Sequence, residues 1–238
     1  MSLPSLTSFL TAHPSLRLAV LGARGNDAGL DLAPYGVPAT FLPAEDHDDL
    51  ALAYLALNRA AFPKVPLAAW VLSDVYVLPA GIALLLDGDA IAAAWVGLPS
   101  VRGDAVGVSL FSNVPGAGAG VKLLGARMLG VSRVRGVTQW SSAALRTHTR
   151  LGPLRVLGPV PAHELADSFV YETDLADDAL VDDALARRHP LVASTFIAQD
   201  DARALADLVH RAADADDVVI APPGCDSRRI CVTFLRRE

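Results

Sequence analysis

The stretch "NVPGAGAGVKLLGARM", residues 113–128, places three alternating glycines between an apolar run and a helix-like pattern. The three are Gly116, Gly118 and Gly120. Glycine loses more conformational freedom on folding than any other residue, so such a cluster indicates a packing or binding requirement. The run before it, residues 104–114, has strand character, whereas Val121, Leu124 and Met128 recur at helical spacing. The stretch therefore predicts a strand, a glycine-rich loop and a helix in succession.

Glycines between a strand and a helix favour a phosphate or pyrophosphate, because backbone N–H groups and the positive end of the helix dipole meet there. A Walker loop needs Lys and then Ser or Thr directly after its last glycine, but here Val121, Lys122 and Leu123 follow. A Rossmann fingerprint needs G-x-G-x-x-G, whereas these glycines alternate. The two common nucleotide motifs are disfavoured. A plain tight turn, or close helix–strand packing, is the alternative that needs no ligand.

Patterns on either side of the glycines predict further elements. Upstream, we expect a strand at 16–21, helices at 6–12, 46–62 and 67–76, and a β-hairpin at 81–97 that turns at Asp87-Gly88. Leu50, Tyr54 and Leu57 would form the buried face of the helix at 46–62. Downstream, Gly130 is expected to end the helix after the glycines. We then expect strands at 134–140, 167–175, 218–221 and 229–235, and helices at 143–151 and 201–213.

Two motifs, together with this order of elements, resemble the GCN5-related N-acetyltransferase (GNAT) superfamily. The family's central motif is often written R-G-x-G-x-G-x-x-L-L, and "PGAGAGVKLL" at 115–124 matches it in register except that Pro115 replaces the Arg or Gln. A second family motif, N-x-x-A-x-x-x-Y-x-x-x-G-F, has its spacing repeated in "SSAALRTHTRLGP" at 141–153. In that motif Ser141 stands at the Asn position and His148 at the Tyr position. The resemblance covers roughly residues 44–174.

The resemblance implies a mixed α/β (α+β) fold with a mostly antiparallel central sheet and helices on both faces. It divides the chain into an N-terminal extension at 1–44, a GNAT-like domain at 45–174 and a C-terminal extension at 175–238, a helix and two strands packed on the core. We expect the extensions to complete the sheet, cover the acceptor cleft or form a homodimer contact.

The resemblance also implies acetyl-CoA as cosubstrate. In the family the fourth and fifth strands splay apart, the pantetheine arm lies between them, and the pyrophosphate sits on the glycine loop. The cofactor-binding residues expected here are Phe111, Ser112, Asn113, Val114, Gly116, Ala117, Gly118, Ala119, Gly120, Val121 and Lys122. Pro115 removes both a side-chain contact and a backbone N–H from this set.

The function implied is acetyl-CoA-dependent N-acetylation of an amine on a small molecule or a protein. His148 is the candidate acid for the departing thiolate, since imidazole can donate a proton near neutral pH. The alternative is a structural histidine that packs on a helix face. Ser141 is the second catalytic candidate, although N-capping of the next helix by Ser141 or Ser142 explains it equally well. A GNAT-like domain without turnover, used for acyl-CoA binding or protein interaction, or as a scaffold without CoA, remains the competing hypothesis.

Composition agrees with a folded chain that binds small molecules or proteins. Of the 238 residues, 52% are hydrophobic and 19% charged, and the net charge of −6 gives no electrostatic reason to expect nucleic acid or an anionic membrane. Cys225 and Cys231 are expected to be free thiols, a local bridge being the alternative. The acidic run at 45–49 is attributed to the start of a helix rather than to a metal. With neither a signal peptide nor an apolar run of about 18 residues, a cytoplasmic location is the default expectation.

Overall fold

A computed structural model describes residues 14–21, 54, 56–57, 60, 81–99, 104–160, 167–175, 195–225 and 228–235. The chain divides into two compact units, Met1–Ser132 and Arg133–Glu238. The helices predicted at 6–12 and 67–76, and the acidic run at 45–49, lie outside the described residues.

The first unit is built on an antiparallel meander. Its described elements are β1 (Leu16–Leu21), β2 (Gly81–Asp87), β3 (Ala90–Pro99), β4 (Ala105–Ser112) and α1 (Ala117–Met128), and each strand pairs with the next along the chain. The predicted hairpin is confirmed, but Asp87 pairs with Ala90, so its two-residue loop is Gly88-Asp89 rather than Asp87-Gly88. Gly88 has a φ of +60°, a conformation that glycine adopts without the steric cost of a Cβ.

Both faces of β2 are buried, which explains its continuous apolar sequence. Ile82 and Leu84 belong to a cluster around the fully buried Tyr54, which is helical, as predicted. Ala83 lies on the opposite face, where α1 packs against β3 and β2. The sheet of this unit therefore carries helical residues on both sides.

The indole of Trp95 occupies a slot that two glycines leave open. A Cβ on Gly97, two residues along the same strand, would lie 2.7 Å from two carbon atoms of the ring. A Cβ on Gly125 of α1 would lie 2.6 Å from Cζ3 of the same ring and 3.1 Å from the Cβ of Ala83. Such distances are shorter than van der Waals contact, so only glycine fits at either position without a shift. Trp95 is 1% exposed and thus fixes how closely α1 approaches the strands.

The second unit contains six described strands: β5 (Arg133–Gln139), β6 (Leu154–Pro159), β7 (Ser168–Asp174), β8 (Thr195–Ala198), β9 (Val218–Cys225) and β10 (Arg229–Phe234). They lie in the order β5-β7-β6-β9-β10-β8, with each pair antiparallel. Its described helices are α2 (Ala143–Thr149) and α3 (Ala202–Ala215). α3 packs on β6 and β9 through an apolar stripe of Leu205, Leu208, Val209 and Ala212.

One hydrophobic core joins the C-terminal segment to the rest of this unit. Leu154 of β6 and Phe169 of β7 share the cluster with Leu208 of α3, Ile220 of β9 and Val232 of β10. β6 pairs directly with β9, so the last third of the chain extends the same run of strands. Trp140 also lies in this core, stacked on Phe169 with ring centroids 4.0 Å apart.

The fold class expected from the sequence is confirmed: the structure is a mixed α/β fold of antiparallel strand pairs with helices packed against them. The strands around the glycine stretch, α1, α2 and the C-terminal helix and strands all form near the predicted positions. β6 and β8 were not predicted. β6 has six residues and β8 has four.

The packing of Trp95 against Gly125 predicts how a substitution in α1 changes the free energy of unfolding. Gly125→Ala should lower the free energy of unfolding by about 1–3 kcal/mol through overpacking, even though alanine is the better helix former by about 1 kcal/mol. In a Trp95→Leu background, where the slot is no longer filled, the same change should cost much less. Urea unfolding of the four proteins measures this cycle. An equal cost in both backgrounds would contradict the proposed contact.

Candidate functional site

The turn that leads from β4 into α1 is held by hydrogen bonds within the first unit. The N–H of Asn113 donates to the carbonyl of Ala92 at 2.8 Å, which ties the end of β4 to β3. The hydroxyl of Ser112 donates to the carbonyl of Val114 at 2.7 Å and accepts from the Val114 N–H at 3.3 Å. The chain therefore bends in a defined way before the glycines are reached.

α1 begins earlier than the sequence suggested. Gly116 has a φ of +89° and forms the last residue of the turn, and the Ala117 N–H donates to the carbonyl of Val114 at 3.1 Å. Gly118 and Gly120 lie inside the first turn of the helix, so the prediction that 116–120 forms a loop was wrong for them. The leading N–H groups of a helix have no acceptor within it, and α1 has no acidic side chain in its first turn.

Exposure changes sharply along the candidate cofactor-binding segment. Ser112, Asn113 and Pro115 are exposed, whereas Phe111, Val114 and Gly116 are partly buried. All residues from 117 to 126 are buried. A ligand of this segment would therefore meet the turn at 112–116, since the residues that follow it in α1 are buried.

Lys122 is fully buried in α1. Desolvation lowers the pKa of its ammonium group to about 7, because burial penalises the charged form. The sequence suggested that this side chain would remain available to a phosphate, but its burial makes it part of the interior of the first unit.

His148 lies near the end of α2 in the second unit and is 5% exposed. Its Nδ1 is 3.0 Å from the hydroxyl oxygen of Tyr171 on β7, which is 2% exposed. The two ring centroids are 4.8 Å apart, with the planes tilted by 40°. Burial raises the pKa of the Tyr171 phenol, so this hydroxyl stays protonated. Sequence reasoning missed Tyr171, because no local pattern links residues that are 23 positions apart.

Ser141 and Ser142 have different partners, which decides between the two capping alternatives. The hydroxyl of Ser142 accepts from the Ala144 N–H at 3.1 Å, so Ser142 is the N-cap of α2. The hydroxyl of Ser141 instead donates to Oδ2 of Asp167 at 2.7 Å. Gln139 donates to Oδ1 of the same carboxylate at 3.1 Å. Ser141 thus belongs to a polar cluster at the start of α2, while His148 lies near the other end of that helix.

Among the described residues, no three His, Cys, Asp or Glu side chains are grouped closely enough to hold a metal ion. In the same part of the chain, no helix combines the length and the apolar character needed to cross a membrane. Cys231 is a buried free thiol.

No family model matches the chain, and no curated protein matches its sequence. Solved structures do resemble it. A putative acetyltransferase from Salmonella typhimurium, determined with acetyl-CoA, aligns at 15% identity over 58% of this chain and 93% of its own, with a TM-score of 0.41. A GNAT-family acetyltransferase from Staphylococcus aureus aligns at 10% identity over 56% and 96%, with a TM-score of 0.41. A CoA-dependent acyl-homoserine lactone synthase aligns at 12% identity over 72% and 95%, with a TM-score of 0.49.

The burial of Lys122 predicts a pH-dependent stability. Between about pH 7 and pH 10 the unfolded chain holds the lysine proton and the folded chain does not, so the free energy of unfolding rises with pH. Relative to Lys122→Met, the wild type should gain up to about 1.4 kcal/mol per pH unit in this window and nothing below it. Urea unfolding of both proteins at several pH values measures the difference. A constant difference from pH 6 to pH 10 would show that Lys122 titrates normally.

Proposed function

We propose that the chain is an N-acyltransferase that transfers the acetyl group of acetyl-CoA to an amine. The observation that carries this proposal is the junction of β4 and α1. There, a turn ending in a glycine of positive φ leads directly into a helix whose first turn contains only small residues and no carboxylate. Backbone N–H groups at such a helix start favour a diphosphate, as found in CoA.

The proposed cofactor position follows the chain from β4 into α1. The pyrophosphate is assigned to the backbone N–H of the partly buried Gly116 and to the positive end of the α1 dipole that it precedes. The Ala117 N–H already donates to Val114, and Gly118 and Ala119 are buried. The pantetheine arm is assigned to the segment 111–114. The Asn113 N–H is bonded to Ala92, so this residue would contribute its exposed side chain instead. We assign no phosphate contact to the Lys122 side chain, because it is buried.

The reaction requires two proton movements. The amine nitrogen attacks the thioester carbonyl and passes a proton to water, the new C–N bond forms, and the C–S bond breaks to release the CoA thiolate. The thiolate takes a proton back from water, so that the step balances. We assign to His148 a hydrogen bond from its imidazole N–H to the leaving sulfur, because it is the residue at the position of the family's tyrosine and its imidazole is held by a defined hydrogen bond.

The acceptor is assigned only as an amine, on a small molecule or on a protein. The net charge of −6 suits a cationic acceptor, such as a polyamine or an aminoglycoside, because an acidic protein attracts cations at long range. A panel that compares cationic with neutral amines therefore tests this preference.

The cofactor position predicts the effect of one added charge. Asn113→Glu places a carboxylate on the exposed turn before α1, where it should repel the CoA phosphates. We expect acetyl-CoA and CoA to bind at least about fivefold more weakly at low salt, since two unit charges about 4 Å apart in water interact by ~1 kcal/mol. Calorimetric titration measures the dissociation constants.

Ser132→Glu is the matched control. It makes the same charge change at an exposed residue beyond the other end of α1, about 18 Å along the helix axis. Binding should remain as in the wild type. If both variants weakened CoA binding equally, the effect would come from net charge alone. Wild-type protein that binds no CoA at millimolar concentration would contradict the proposed function.

Turnover distinguishes an enzyme from a domain that only binds acyl-CoA. We expect amine-dependent release of the CoA thiol by the wild type, and a fall in kcat of roughly 10²-fold in His148→Leu, in keeping with the loss of one placed hydrogen-bond donor. CoA binding by this variant should be unchanged. Saturable CoA binding without thiol release for any amine in the panel would favour the non-catalytic alternative.

A further inference from the structure

We propose that Tyr171 is a positioning residue for His148, that its hydroxyl donates to Nδ1 and so places the imidazole proton on Nε2, and that Gly136 makes this contact sterically possible. The catalytic consequence rests on the proposed function, whereas the hydrogen bond and the proton position do not. The proposal concerns three residues of the second unit that belong to β5, β7 and α2.

The ring of Tyr171 lies against the backbone of β5. Gly136 of β5 and Tyr171 of β7 are direct partners in an antiparallel pair. A Cβ on Gly136 would lie 2.7 Å from the phenol oxygen, 2.9 Å from Cζ and 3.0 Å from Cε1. The outer end of the ring therefore lies over the glycine, in space that any other residue would fill.

The neighbouring residues hold the strands in this register. Arg135 and Glu172, which also pair across β5 and β7, form an ion pair of 2.9 Å. Side chains of adjacent residues in a strand point to opposite faces, so this ion pair lies on the face away from Tyr171. Glu172 is also 3.7 Å from Arg133 and 3.8 Å from Arg155, and these charges join β5, β7 and β6. A slip of register would separate the ion pairs and the Gly136–Tyr171 pair together.

The hydrogen bond between Tyr171 and His148 has a direction that the acidity of the two groups determines. Burial raises the pKa of Tyr171, so its oxygen keeps its proton at neutral pH. An imidazole nitrogen is far more basic than a phenol oxygen, and the stronger acceptor takes the proton of the stronger donor. When His148 is neutral, the 3.0 Å contact is then Tyr171 O–H donating to its Nδ1. In a neutral imidazole only one nitrogen carries hydrogen, so the proton lies on Nε2.

This tautomer has a consequence for catalysis. A neutral imidazole can donate a hydrogen bond only from the nitrogen that bears the proton. With Nδ1 engaged by Tyr171, Nε2–H is the group able to donate a hydrogen bond to a leaving thiolate, and the imidazole keeps its proton. Tyr171 would thus act through His148 without touching the substrate, and Gly136 would act through Tyr171.

NMR of histidine nitrogens tests the proton position directly. In protein labelled with ¹⁵N-histidine, with His148 assigned by comparison with His148→Gln, we expect Nδ1 to have the chemical shift of an unprotonated acceptor and Nε2 that of a protonated nitrogen. Tyr171→Phe, which keeps the ring and removes the hydroxyl, should change this pattern toward a mixture of tautomers. A protonated Nδ1 in the wild type, or a pattern unchanged in Tyr171→Phe, would overturn the proposal.

Gly136→Ala tests the steric part. Although this variant keeps the tyrosine hydroxyl, it should change the His148 signals in the same sense as Tyr171→Phe, because the new methyl group displaces the ring. Val137→Ala is the matched control: it lies next in the strand, is 47% exposed and points to the other face. If Gly136→Ala folds and leaves the His148 signals unchanged, the role of the glycine is wrong.

Kinetics then separates this proposal from the proposed function. Tyr171→Phe should lower kcat by about tenfold, less than the roughly 10²-fold expected from removing the imidazole donor itself, with little change in KM for acetyl-CoA. The NMR pattern is measured without substrate, so it stands even if no amine is acetylated. The expected tautomer together with an unchanged kcat would overturn the catalytic part alone.

Discussion

The packing of Trp95 between two glycines is the constraint on which the candidate cofactor site depends. Gly97 and Gly125 leave the space that the indole fills, so α1 can approach β3 and β2 closely. Because a helix is rigid over a dozen residues, this contact near its C-terminal half also determines where its first turn lies. The turn at 112–116 is in turn tied to β3 by the bond from Asn113 to Ala92. The position of the Gly116 N–H, which is proposed to bind the pyrophosphate, is thereby determined by contacts on both sides of it.

A similar arrangement recurs in the second unit, with a different consequence. There a tyrosine ring lies over Gly136, and the space left by the missing side chain brings the phenol to His148. In both units an aromatic ring needs a glycine on a neighbouring strand or helix. The Trp95 ring makes apolar contacts and sets the distance between α1 and the strands, whereas the Tyr171 ring carries a hydroxyl that orients the His148 imidazole. Glycines distant from a ligand can therefore be as restrictive as those that contact it.

Much of the fold could be predicted from local patterns. The hairpin at Gly88, the strand before the glycines and the amphipathic α3 each have a signal within about ten residues. The start of α1 was placed too late, because alternating glycines are typical of loops and only packing makes them helical here. Pairings between distant segments were not predictable: Tyr171 with His148, and Asp167 with Ser141, depend on strand register. The burial of Lys122 was not predictable either, since a lysine in a helix is usually exposed.

The most direct test of the account is to observe the backbone N–H groups of the β4–α1 junction during a titration with CoA. In ¹H–¹⁵N correlation spectra, we expect the largest shift at Gly116, with smaller shifts along 111–114. Pantetheine, which keeps the thiol of CoA but lacks its nucleotide and phosphates, should leave the Gly116 signal in place. Saturable CoA binding whose largest shifts fall outside residues 111–122 would contradict the proposed site, and the glycines would then serve only turn formation and helix packing.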